Sequence, residues 1–230
     1  MTRPIFILSF LLLTACARSH GLHLAALHDQ LRDDAASFQG TAAPAPDETA
    51  RVARIPPTLG LYLVPTGFVR HEFEWSDRDR DLIVAWGKGL SSQHRLAGVM
   101  GLTPSSLKGT TLKDVRETAG RYGADVLLTV EGAAAVDRYN NYKAGLLYWT
   151  IVGAYLADGT HSDAACVVAG TAWDVKTGAR LFSETAEGTA GTIGPAALVN
   201  DEDEVERAKR IALDRLLLLL EQRLTQLARS

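Results

Sequence analysis

The sequence predicts an α/β fold: a single mixed sheet with helices packed on it, an antiparallel hairpin and a long C-terminal helix. Three observations predict it. Short apolar runs alternate with helix-like segments between Leu59 and Val130, the pattern of strands lying side by side in a layer with helices against it. Two stretches, Ala164 to Val175 and Ala179 to Glu187, flank Lys176-Thr177-Gly178, as antiparallel strands flank a tight turn with glycine at its strained position. From Asp201 to Arg229, Val205, Ala208, Ala212, Leu216, Leu219 and Leu227 recur at helical spacings.

The first residues are of a different kind. Arg3 is followed by the apolar run Ile5 to Leu13 and then by the small residues Thr14 and Ala15, a charged start and short apolar core typical of an export signal. The run is too short for a bilayer span, which needs about 20 apolar residues. Leu13-Thr14-Ala15-Cys16 resembles the lipobox of bacterial lipoproteins, in which the thiol receives a diacylglyceryl group before the peptide bond preceding it is cut. Residues 1–15 are therefore expected to be a cleaved lipoprotein signal peptide, with Cys16 as the lipidation site. At about 0.8 kcal/mol per buried methylene, several acyl chains make attachment to the lipid bilayer effectively lasting. Ala17 stands where aspartate often signals inner-membrane retention, which favours an outer-membrane destination facing the periplasm.

Residues 16–57 read as a lipidated N-terminus, a short amphipathic helix over Leu22 to Phe38 with Leu24, Leu27 and Leu31 as its stripe, and a Pro/Ala-rich tether from Gly40 to Pro57. The α/β domain is expected over residues 58–230. Leu59 to Val64, ended by Pro65, reads as a buried strand. Ser76 is placed to cap a helix whose acidic start, Asp77, Asp79 and Asp81, suits the positive end of the helix dipole; Gly87 and Gly89 leave its far end open. Leu96 to Leu102 is a second apolar segment, Thr111 caps a helix running to about Tyr122, and Val126 to Val130 is a third strand. Tyr139-Asn140-Asn141-Tyr142 reads as a loop and is the candidate partner surface. The apolar block Ala144 to Ala157 is too short to span a bilayer and reads as core or interface. His161-Ser162-Asp163 reads as a turn. The five leucines Leu216 to Leu220 widen the apolar face of the last helix, which points to burial within the domain before a helix partner.

Composition narrows the function classes. With Arg3 removed, 23 basic residues face 27 acidic ones, a net charge of about −4, and no basic stripe or nucleic-acid module is evident, so no nucleic-acid partner is expected. Cys166 is left without a disulfide partner and lies in the apolar run Ala164 to Ala169, where a thiol behaves as a small hydrophobe. His20, His23 and His28 cluster early but do not share a helical face and carry no four-ligand zinc pattern. His71-Glu72-Phe73-Glu74-Trp75 lacks the second histidine of a zinc-protease helix, and neither a nucleophile elbow nor a phosphate loop is present. No catalytic, cofactor or metal site is assigned.

The order of elements is similar to the small α/β domain of the Tol-system periplasmic protein and to the curli secretion lipoprotein, with Gly123-Ala124-Asp125-Val126-Leu127-Leu128 and Trp173-Asp174-Val175-Lys176-Thr177-Gly178 as shared phrases. Tyr148-Trp149-Thr150-Ile151-Val152-Gly153-Ala154-Tyr155, with the lipobox and the hairpin that begins at Trp173, resembles the signature of the rhombotarget lipoproteins across most of residues 59–190. His161-Ser162-Asp163 departs from that resemblance, where an Asn-Asp-Thr-like turn is expected. The resemblance implies an envelope location and a link to rhombosortase processing systems, and implies no catalytic activity. The expectation is a non-enzymatic envelope lipoprotein that binds or helps assemble another envelope protein. The alternatives are a homo-oligomeric structural or secretion-accessory lipoprotein, and an envelope hydrolase acting through His161 or His71.

Overall fold

The structure, a computed structural model, describes residue 19 and residues 21–40, 56–65, 73–140 and 159–227. Five strands, β1 Thr58–Leu63, β2 Gly98–Leu102, β3 Val126–Asn140, β4 Thr160–Asp174 and β5 Arg180–Gly194, form one mixed sheet in the order β2-β1-β3-β4-β5. β1 is parallel to both β2 and β3, while β3, β4 and β5 run antiparallel in succession. Four helices pack on the sheet: α1 Leu24–Gln39, α2 Asp77–Ser92, α3 Leu112–Arg121 and α4 Asp201–Leu227. The expected α/β class, hairpin and closing helix are all present.

Helix starts follow from local chemistry. Ser76 accepts from the Asp79 backbone N–H while the Asp79 carboxylate accepts from the Ser76 backbone N–H, a reciprocal capping box that Thr111 and Asp114 repeat at α3. α2 runs through Gly87 and Gly89 to Ser92, and the reason at Gly87 is proximity: a Cβ there would meet a Val99 methyl of β2 at 2.9 Å. At the β4–β5 turn, Gly178 takes φ +79°, and the Asp174 carboxylate accepts from the Thr177 N–H and hydroxyl.

Alternation along the strands sends side chains to two covered faces. On the first, Leu59, Leu61, Val126, Leu128, Cys166 and Val168 meet Ile83 and Leu90 of α2 and Ala212, Leu213, Leu216 and Leu220 of α4. Leu217 is buried with them, whereas Leu218 is 63% exposed. On the second, Tyr62, Leu127 and Trp173 pack with Val115 and Ala119 of α3, and Ala133, Ala165 and Val167 lie under Leu27 and Leu31 of α1. The helix read as preceding the domain thus forms part of one covering layer.

β3 extends ten residues past Val130, and the β4–β5 hairpin is longer at both strands than the sequence suggests. Each of these strands has 15 residues, about 50 Å, against 6 and 5 residues for β1 and β2. The sheet is therefore five strands wide at one end and a three-stranded ribbon at the other, and α1 covers the second face of that ribbon. Tyr139 and Asn140, read as a loop, are the last residues of β3 and pair with His161 and Thr160. His161-Ser162-Asp163, read as a turn, lies within β4. Pairing across β3–β4 overrides the local turn preference of these polar residues.

One ion cluster is buried in the first face. The Lys209 ammonium donates to Asp79 at 2.8 Å, Glu206 at 2.5 Å and the Glu74 carbonyl at 2.9 Å, with the Phe73 ring centroid 5.7 Å away. Burial favours the neutral amine, but Asp79 and Glu206 outweigh it and hold the Lys209 pKa above its ordinary value. The Asp79 that caps α2 thereby ties it to α4.

Candidate functional site

Tyr139 and Asn140 sit at the free end of the three-stranded ribbon. The Tyr139 ring stacks on His161 with centroids 4.7 Å apart and planes 12° from parallel, and its hydroxyl donates to Asp163 at 3.3 Å. Thr160 Oγ1 donates to Asn140 Oδ1 at 2.7 Å. On the other face Ser162 Oγ donates to Asp201 Oδ1 at 2.6 Å, and Arg138 donates to Asp201 and to the Ala196 carbonyl, so this end is joined to the start of α4. Asn141 and Tyr142 lie outside the described residues.

The chain before α1 is tied to the same end. Ser19 Oγ and the Gly21 N–H donate to Asp137 Oδ2 of β3 at 2.5 and 2.9 Å. Ser19 and Asp137 are 118 residues apart, so no local motif announces this contact. His28 on α1 meets Glu187 of β5 at 2.6 Å, a second tie between α1 and the ribbon.

The geometry at His161-Ser162-Asp163 follows from the strand. Adjacent residues alternate across the sheet, so His161 and Asp163 share the face of Tyr139 while Ser162 is on the opposite face, bonded to Asp201. The three do not converge on one reacting atom. Cys166 is wholly buried, and burial pushes its thiol up to about 12, which suits packing rather than nucleophilic attack. His20 and His71 lie outside the described residues, as do Cys16 and the apolar block from Ala144 to Ala157. Among the described residues no three His, Cys, Asp or Glu side chains form a metal-holding group, and no helix is long and apolar enough to cross a membrane.

A second feature was not anticipated. Where α1 gives way to α3 on the second face, a cleft of about 330 Å³ opens between Leu31, Asp34 and Phe38 of α1, Val64, Pro65, Thr110 and Thr111, and its floor is Glu131 of β3. Glu131 is 7% exposed. Burial first, and the nearby Asp34 carboxylate second, raise its pKa to about 7. At mildly acidic pH it is therefore a neutral hydrogen-bond donor in a largely apolar setting. A signal for it does exist in the sequence: a lone carboxylate interrupting the otherwise uncharged run Val126 to Val136.

No protein-family model matches the chain, and no curated protein does. Among solved structures, it is similar to a neuraminyllactose-binding hemagglutinin homolog from Helicobacter pylori (TM-score 0.43, 9% identity, covering 83% of this chain and 96% of that one). It is also similar to lipoprotein GNA1162 from Neisseria meningitidis (TM-score 0.33, 15% identity, 76% and 100%) and to a minor lipoprotein from Acinetobacter baumannii (TM-score 0.34, 14% identity, 76% and 92%). At these scores and identities the likenesses assign no family.

Proposed function

We propose that the protein is a non-enzymatic lipoprotein of the bacterial cell envelope, held to the periplasmic side of the outer membrane through acylated Cys16, whose α/β domain binds or helps assemble another envelope protein. The observation that carries this is the Leu13-Thr14-Ala15-Cys16 motif directly after a short apolar export signal. The separation of Ser162 from His161 and Asp163 by the sheet, and the burial of Cys166, take the nucleophile candidates out of reach of a bound substrate. The proposed partner surface is Tyr139, Asn140, Asn141 and Tyr142, of which the first two end β3; tyrosine is among the residues enriched at protein contacts. The link to a rhombosortase system follows from the sequence resemblance alone.

Anchoring is tested with Cys16→Ser. The variant is expected to leave the membrane fraction on carbonate extraction while the parent stays; equal retention of both would overturn the anchor. Partner binding is tested by photo-crosslinking from position 139 in native envelopes. A single protein adduct, lost when the probe is moved to position 176 at the opposite end, is expected, and no adduct at either position would refute a protein partner.

A further inference from the structure

Two features meet at the free end of the ribbon. The Ser19–Asp137 tie leaves three residues between the sheet and Cys16, at most about 11 Å of extended chain. Ile193 of β5, opposite His161, is 58% exposed, and Leu198 in the following turn is 67% exposed. They are two of the four large hydrophobic residues left exposed among the described residues; Tyr122 follows α3 near the other end of the sheet, and Leu218 is on the outer side of α4.

We propose that this end of the sheet rests on the same bilayer that holds Cys16, with Ile193 and Leu198 at the headgroup level, and that Asp137 is the clamp that fixes this orientation. The proposal rests on acylation of Cys16. A lipid surface is the occupant that the short connection to the anchor requires: with about 11 Å of chain to spare, the ribbon end cannot stand far from the membrane. Exposed apolar side chains beside a lipid anchor enter the headgroup region and so orient the domain on the bilayer that the acyl chains already hold. The acidic groups at this end are largely paired within the protein. Asp137 is taken by Ser19 and Gly21, Asp163 by the Tyr139 hydroxyl, Asp201 by Arg138 and Ser162, and Glu204 by Arg207. Glu202 and Asp203 complete the acidic first turn of α4.

The acylated full-length protein carries no reactive thiol, since Cys16 is modified and Cys166 is buried, so a fluorophore can be placed at Ile193→Cys or, at the opposite end, Thr177→Cys. Each is reconstituted into phosphatidylethanolamine vesicles containing brominated lipid and floated on a density gradient. The expected result is quenching at position 193 and none at 177, with Asp137→Ala still floating but showing the two positions converge. Floating protein unquenched at 193, whether open to water or covered by a second copy, would overturn the orientation alone. Protein that fails to float, or Cys16→Ser protein that floats equally well, would overturn the acyl anchor and the orientation with it.

Discussion

Replacing Glu131 by glutamine isolates a buried carboxyl whose ionisation the fold opposes. Its pKa rises from an ordinary 4.5 to about 7, first by burial and then by Asp34. The folded protein therefore keeps a proton that the unfolded chain releases near pH 4.5, and the sign follows from this difference. Stability is full below about pH 4.5, falls as the pH rises through the interval, and is lowest once the pH passes about 7. At about 1.4 kcal/mol per pH unit over about 2.5 units, this one group removes about 3 kcal/mol. That is a large part of the 5–15 kcal/mol, roughly, that holds a domain together. The assay is urea denaturation of the unacylated protein, made without residues 1–15 and with Cys16→Ser, followed by tryptophan fluorescence between pH 4.5 and 8. Glu131→Gln is expected to remove most of the fall, and Asp34→Asn to shift it toward lower pH, because it deletes only the second cause. A parent and a Glu131→Gln variant with parallel pH profiles would refute the assignment.

The other predictions concern packing. Asp79→Ala removes the reciprocal half of the α2 capping box and the buried one of the two carboxylates that meet Lys209, which is 1% exposed, and is expected to cost about 3 kcal/mol or more in the same denaturation assay. Lys209→Met, which removes the buried cation itself and leaves Asp79 bonded to Ser76, is expected to cost less. Gly188→Ala would bring a Cβ to 2.1 Å from the Ala208 carbonyl and 2.6 Å from the Ala212 nitrogen, forcing α4 off β5, with a loss of about 1–3 kcal/mol or more expected. Cys166 is expected to resist iodoacetamide at pH 8 in the folded protein and react once urea unfolds it; rapid alkylation of native protein would contradict its burial.

What the sequence shows and hides divides along the range of the interactions. The capping boxes at Ser76 and Thr111 act over three residues, and both helix starts are read to the residue. β1 and the first third of β3, Val126 to Val130, are apolar, leucine-rich runs bounded by turn residues, and they too are legible. Beyond Val130 the strand continues as Glu131-Gly132-Ala133-Ala134-Ala135, with neither alternation nor strand propensity. These residues are extended because β4 pairs along their whole length, and they are small because both faces are closely covered: Ala133 meets α1, and the Phe73 ring, from the segment before α2, occupies the space where a Cβ on Gly132 would project. The candidate site is hidden for the same reason. Asn140 and Asn141 give the segment a turn-like sequence, and the strand pairing of Tyr139 and Asn140, the Tyr139–His161 stack and the Ser19–Asp137 tie all depend on contacts between distant residues.

The place of α1 changes what the anchor can do. Because Leu27 and Leu31 cover the ribbon, the Pro/Ala-rich stretch from Gly40 to Pro57 joins α1 to β1 and adds no reach between membrane and domain. With Cys16 acylated, the whole connection is the segment from Cys16 to Ser19, and a partner must come to the membrane surface to be bound. Inserting a 20-residue Gly/Ser linker after Ala17 would lengthen that connection by about 25 Å in root-mean-square terms without touching Ser19 or Asp137. Fractionation and folding are expected to be unchanged, while crosslinking from position 139 to a membrane-embedded partner should fall sharply. An undiminished adduct would mean that the partner is found in the aqueous periplasm and that closeness to the bilayer plays no part in its capture.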